Sequence, residues 1–191
     1  MIVPSRNSAT DGANPCHGSC TELNRRHLLF GAGAAFVSIA LPGFGPLVFS
    51  ALKVEYPRRS IAKLSQLKAD VPETFRYPWD HSNCQSVLLK LEEEAAGGIG
   101  PDKNIVAFNA LCTHMGAEIP SDQFKTRLGI AGPCPMHWTT FDLTRHGMVV
   151  SGHATQGLPQ VVLELNGDDI VAVGVLGLLF GFHDNTAEPK A

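Results

Sequence analysis

Charge of either sign is scarce in this chain of 191 residues: 15 Lys and Arg stand against 18 Asp and Glu, a net charge of −3. There is no basic stripe and no aromatic platform, so a nucleic-acid partner is excluded. Long apolar runs are also missing. The longest, Leu28 to Leu41, has fourteen residues, or about 21 Å of helix, where a membrane span needs about 20 residues. Pro42, Gly43, Gly45 and Pro46 interrupt it before a second apolar patch, Leu47 to Leu52. No internal repeat is visible. Cysteine is sparse, at five.

What is present begins with an address. Asn24-Arg25-Arg26-His27-Leu28-Leu29, followed by the apolar run, looks like a twin-arginine export motif, with an ordinary charged helix start as the competing reading. Ser38-Ile39-Ala40 offers small residues for cleavage. Residues 1–40 are therefore expected to be a signal peptide, its boundary reaching as far as about 51, and to be removed. Retention as a kinked anchor is the alternative, and membrane contact is expected only then. Losing Arg6, Arg25 and Arg26 with Asp11 and Glu22 takes the net charge to −4. The twin-arginine route carries folded cargo, which places the mature protein in the periplasm.

The cysteines sort by position. Cys16 and Cys20, in Cys16-His17-Gly18-Ser19-Cys20, precede the arginine pair in a segment without a core, and are read as incidental. Cys84 is expected to pack at a strand start as a small apolar residue. The other two sit in short loops that each pair a thiol with an imidazole: Cys112-Thr113-His114 and Cys134-Pro135-Met136-His137, with nineteen residues between them. Zinc also takes two Cys and two His, but structural zinc sites usually pair like with like, and here each loop mixes the types. Zinc, and Cys and His that are merely buried, are the competing readings.

The flanks Leu111-Cys112-Thr113-His114-Met115-Gly116 and Gly132-Pro133-Cys134-Pro135-Met136-His137 resemble the two cluster loops of Rieske proteins. That resemblance implies one [2Fe-2S] cluster, with Cys112 and Cys134 on one iron and His114 and His137 on the other. Neutral imidazoles in place of two thiolates leave such a cluster less negative, and Rieske centres span about −150 to +300 mV against about −400 mV for plant-type ferredoxins. Single electrons at fairly high potential are the expected traffic. Four ligands complete the site, so His146 and His153 are expected to be ordinary turn residues; His81 and His183 carry no pattern.

The mature part reads as all-β, with short strands punctuated by Gly and Pro. Strands are predicted at Val87–Leu91, Asn104–Asn109, Trp138–Leu143 and Met148–Val150, and a hairpin at Gln160–Leu165 and Ile170–Val173 around Asn166-Gly167-Asp168. Val175 to Phe182 is expected to be a closing strand or an interface edge. Residues 53–86 form an N-terminal extension with a helix-compatible stretch, Ile61 to Lys68. Residues 87–182 are then the Rieske domain, an antiparallel fold with its cluster-binding loops at 110–118 and 132–141, and 183–191 a tail.

From Tyr77-Pro78 through Gly97-Gly98-Ile99-Gly100-Pro101 and both loops to Val173-Gly174-Val175-Leu176-Gly177, about one hundred residues resemble the small Rieske subunit of arsenite oxidase and that of iodate reductase. The resemblance implies docking on a large subunit with a molybdopterin cofactor and a 3Fe-4S cluster, and relay of electrons between it and a c-type cytochrome. Catalysis then belongs to the partner, and no catalytic residue is expected in this chain. Thr139 stands where Rieske proteins of respiratory complexes carry a serine that donates to a bridging sulfide, and a threonine can do the same. Phe141 stands where those proteins place a tyrosine that donates to a ligand sulfur, which implies a potential below that of quinol-oxidising relatives. Many relatives tie the loops by a disulfide at the positions held here by Ala117 and Met136. Such a bridge contributes roughly 2–4 kcal/mol, and its absence tilts the reading towards iodate reductase. Met136 is expected to fill the core and not to ligate. Two alternatives remain, the Rieske subunit of a cytochrome bc-type quinol oxidase and a ferredoxin feeding a ring-hydroxylating oxygenase.

Overall fold

The computed structural model describes residues 55–188 and two short strands before them, β1 (Val37–Ile39) and β2 (Leu47–Phe49), which pair antiparallel. The twin-arginine motif, Cys16 and Cys20 lie outside the described residues. The chain divides into two units, 1–52 and 53–191. Among the described residues no helix is long and apolar enough to cross a membrane.

The second unit is all-β and antiparallel throughout, as the strand pattern predicted. Its larger sheet has six strands in the order β3 (Arg59–Lys63), β12 (Asp169–Leu176), β11 (Gln160–Asn166), β6 (Ile105–Asn109), β5 (Gln85–Lys90) and β4 (Glu73–Arg76). The edges curl towards each other, since Arg59 Nη1 of β3 donates to the Arg76 carbonyl of β4 at 2.8 Å. The smaller sheet runs β10 (Met148–Ser151), β9 (Thr140–Asp142), β8 (Ile130–Ala131) and β7 (Phe124–Lys125). It is inserted between β6 and β11.

Strands β5 and β6 are buried on both faces, which is why they read as unbroken apolar runs rather than as alternation. Val87, Leu89, Val106 and Phe108 face a core shared with Phe141, Leu143 and Leu158, whereas Leu88, Ile105 and Ala107 join Val161, Leu163, Ile170 and Ala172. Cys112 and Cys134 belong to the first of these cores, so the cluster loops are rooted in the hydrophobic interior. Cys84 is fully buried where β5 begins, in the place expected of it, and burial pushes its thiol up from the ordinary value.

Two expectations are corrected. The helix-compatible stretch Ile61 to Lys68 continues β3 to Lys63 and then forms one 3-10 turn, Leu64–Gln66, because pairing with β12 gives its backbone partners that an isolated helix of about two turns lacks. The strand expected from Trp138 begins only at Thr140, because Trp138 has a φ of 61°. The stretch 53–86 also supplies both edge strands of the large sheet.

Candidate metal centre

Each thiol–imidazole loop is built on the same backbone ring. In the first, Cys112 N–H donates to the Ala117 carbonyl and the Cys112 carbonyl accepts from Gly116 N–H, both at 2.8 Å. In the second, Cys134 N–H donates to the Thr139 carbonyl at 2.8 Å and the Cys134 carbonyl accepts from Trp138 N–H at 3.0 Å. Each ring reverses the chain through a left-handed residue four positions after its cysteine, Gly116 at φ 72° and Trp138 at φ 61°. The first loop leaves β6 at a fixed place. Asn109 donates to the carbonyls of Asn83 and Gln85, both at 2.9 Å, and accepts from Leu111 N–H at 3.0 Å. The second loop spans the β8–β9 hairpin, above Ala131 opposite Phe141.

The loops bring all four expected residues together, sulfur with sulfur and ring with ring. Cys112 and Cys134 are buried and within hydrogen-bonding reach of each other. The rings of His114 and His137 are half-buried, with centroids 4.7 Å apart and planes at 78°. Burial pushes the Cys112 thiol up, against bonds donated by the His114 N–H and the Thr139 hydroxyl, which favour the thiolate. His137 Nδ1 is buried and has no hydrogen-bond partner. A buried ring nitrogen left without a partner costs about 1–3 kcal/mol unless something binds it. A sulfur pair and an imidazole pair, one of whose ring nitrogens is buried and unsatisfied, fit a dinuclear iron–sulfur group. Among the described residues no three His, Cys, Asp or Glu side chains converge as a single-ion site would require.

A third loop, between β10 and β11, laces these two together. Thr113 Oγ1 donates to the Gln156 carbonyl at 2.7 Å, and Thr139 Oγ1 accepts from His153 N–H at 3.2 Å. The approach requires glycine, since a Cβ on Gly152 would sit 2.4 Å from Thr139 Cα. With Ala117 and Met136 in place of cysteines, these bonds hold the loops in register. His153, expected as a non-ligand turn residue near the second loop, also packs on the two imidazoles. Its ring stacks on His114 at 5.6 Å and 27° and meets His137 at 6.1 Å and 81°. His146 does behave as expected, a turn residue whose Nδ1 lies 2.6 Å from Gln160 Oε1.

The surface around the imidazoles is apolar. Met115 is 57% exposed, Met136 56% and Trp138 74%. Met136 therefore lies outside the core, because an apolar residue is not thereby a buried one. The residues that sequence reasoning missed are His153 and Gly152; Ser151-Gly152-His153 offered only a glycine where two loops approach closely.

All-β sheets with two cysteine–histidine loops at one end define a class, and comparison with known proteins agrees. Residues 60–162 match the Rieske [2Fe-2S] domain, and the chain belongs to that family, whose cofactor is one [2Fe-2S] cluster. Within it, the chain is 50% identical to the iodate reductase subunit IdrB of Pseudomonas sp. (strain SCT), over 98% of this chain and 94% of that one. It is 49% identical to the iodate reductase subunit IdrB of Denitromonas iodatirespirans, over 91% and 93%. Among solved structures, the soluble domain of the Rieske protein II (soxF) from Sulfolobus acidocaldarius superposes with a TM-score of 0.58. It is 25% identical, covering 69% of this chain and 85% of that one.

Proposed function

We propose that this chain is the electron-transfer small subunit of a periplasmic iodate reductase, docked on a large molybdopterin subunit and exchanging electrons with a c-type cytochrome. The observation that carries the reading is the near full-length likeness, 49–50%, to two IdrB subunits of that enzyme. It favours iodate over arsenite as the oxyanion, and it accords with Ala117 and Met136 where a disulfide would otherwise sit.

In this reading Cys112 and Cys134 would hold one iron, and His114 and His137 the other, with the unpartnered Nδ1 of His137 the nitrogen available for it. When bound, the cluster takes up and releases one electron at a time. The protein's part is to keep the sulfur side dry, within the core, and the imidazole side near the surface. Thr139 donates to the Cys112 sulfur, and the third loop fixes both ligand loops. Chemistry on the oxyanion belongs to the large subunit, and this chain supplies no catalytic residue. The twin-arginine motif at Arg25-Arg26 suits a protein exported after its cofactor is in place.

Purification from periplasm tests the assembly. A molybdenum-containing partner that reduces iodate with a reduced carrier is expected. An oxygenase, a cytochrome b, or a complex that turns over arsenite but not iodate would overturn the reading. Replacing Arg25-Arg26 by Lys-Lys is expected to leave the protein in the cytoplasm, and unchanged export would remove the twin-arginine assignment.

A further inference from the structure

We propose that Phe180 is a positioning residue for the cluster, a ring pressed on Gly116 that holds the turn presenting His114. The inference rests on the ligand assignment above and concerns a residue outside both ligand loops, Phe180, and its contact with the first of them.

After β12 the chain runs back as a strap, residues 177–185. Leu179 and Phe182 are its buried anchors, and Phe182 meets the His81 ring edge-on at 5.7 Å. Asn185 holds the strap in shape, donating to the Gly177 carbonyl at 2.7 Å and accepting from Leu179 N–H at 3.0 Å. Trp79 Nε1 donates to the Asn185 carbonyl at 3.0 Å, and Asn83 Nδ2 to the Phe180 carbonyl, also at 3.0 Å. Asn83 in turn offers its own carbonyl to Asn109, at the root of the first ligand loop. One residue, through its side-chain amide and its main-chain carbonyl, thus ties the strap to the place where that loop begins.

Phe180 lies between these anchors in the strap, 36% exposed, with its ring against Gly116. A Cβ at Gly116 would lie 2.3 Å from Phe180 Cε1 and 2.4 Å from Cδ1. The contact is therefore flush on the backbone and available only to glycine. Gly116 closes the hydrogen-bonded turn around Thr113, His114 and Met115, and glycine is the residue with the most backbone freedom to lose. A ring seated on it restricts that freedom from outside. The second loop has no need of such a ring, since Gly152 backs Thr139 directly.

The test uses the full chain loaded with its cluster, as wild type, F180A, F180L, G116A and the double variant. Cluster loss under a chelator is followed by visible absorbance, the ligand field by spin resonance of the reduced state, and the fold by melting of the cluster-free protein. F180A is expected to speed cluster loss about tenfold, the equivalent of one lost apolar contact, and to change the resonance spectrum. F180L is expected to restore most of the lifetime, and melting of the cluster-free protein to stay within a few degrees. G116A, which forces the ring away and also puts a Cβ on left-handed backbone, is expected to shorten the lifetime more than F180A, with the double variant falling short of the sum of the two. F180A with wild-type lifetime and spectrum would overturn the proposal, as would fully additive effects, or faster loss matched by an equal fall in cluster-free stability. A wild-type chain that accepts no cluster would remove the ligand assignment itself, a result distinct from any of these.

Discussion

Gly116 and Trp138 are counterparts. Each stands four residues after a cysteine, each donates its N–H to that cysteine's carbonyl, and each takes a left-handed φ. One loop meets the requirement with glycine. The other places a tryptophan there, 74% exposed beside the imidazoles. Left-handed backbone costs a residue with a Cβ roughly 1–2 kcal/mol, and such strain collects at functional surfaces.

Comparing W138G with W138A isolates that strain, because both remove the indole. The glycine variant is expected to be the more stable by about 1 kcal/mol in chemical denaturation. Equal stability, or a more stable alanine variant, would show that the second loop is not held in the left-handed region.

Thr139 touches both the sulfur side and the third loop, accepting from His153 N–H and donating to Cys112. A donor to sulfur favours the reduced, more negative cluster, so T139V is expected to lower the potential by roughly 40 mV per lost bond of about 1 kcal/mol. T139S is expected to recover most of it. Redox titration followed by spin resonance reads the shift, and an unchanged potential in T139V would exclude the bond from tuning.

Phe141 is fully buried in the same core as Cys112 and Cys134. F141Y adds a hydroxyl there and is expected to raise the potential, by roughly 40 mV if the new donor is worth about 1 kcal/mol. Stability is expected to fall by about 1–3 kcal/mol from overpacking. A lower potential would contradict the view that a donor at this position favours the reduced cluster.

Asp70 binds the turn at the start of the small sheet, accepting from Thr126 Oγ1 at 2.6 Å and from Arg127 at 2.9 and 3.0 Å. The Thr126 hydroxyl, and then Arg127, hold its carboxyl below the ordinary value. A carboxylate with a lowered folded-state pKa stabilises above its unfolded value and loses that contribution as pH falls through the folded one. Wild type and D70N are therefore expected to differ in melting temperature near neutral pH and to converge in acid, below the usual carboxylate range. A constant gap across that range would show that Asp70 acts through its shape rather than its charge.

The centre was legible because its chemistry is local: Cys and His at short spacing, with fixed neighbours. Strands β5 and β6 were legible through unbroken apolar runs, and β11–β12 through apolar stretches on either side of an Asn-Gly-Asp turn. Strand β3 was not, because a short edge strand carries too little period to compete with helix-compatible residues. The two-residue strands β7 and β8 are shorter than any period. The roles of His153 and Phe180 depend on chain that returns to the site from far along the sequence, and no local pattern encodes a return. Met136 shows that an apolar residue at a loop tip can face outward.

The central claim is an iron pair held by sulfur on one side and nitrogen on the other. The most direct measurement is pulsed spin resonance on the dithionite-reduced protein, with iron and acid-labile sulfide counted in the same sample. The account predicts two irons and two sulfides per chain and nitrogen couplings from two imidazoles, one lost in each of H114C and H137C. A colourless protein holding one zinc, or a spin signal without nitrogen coupling, would contradict it.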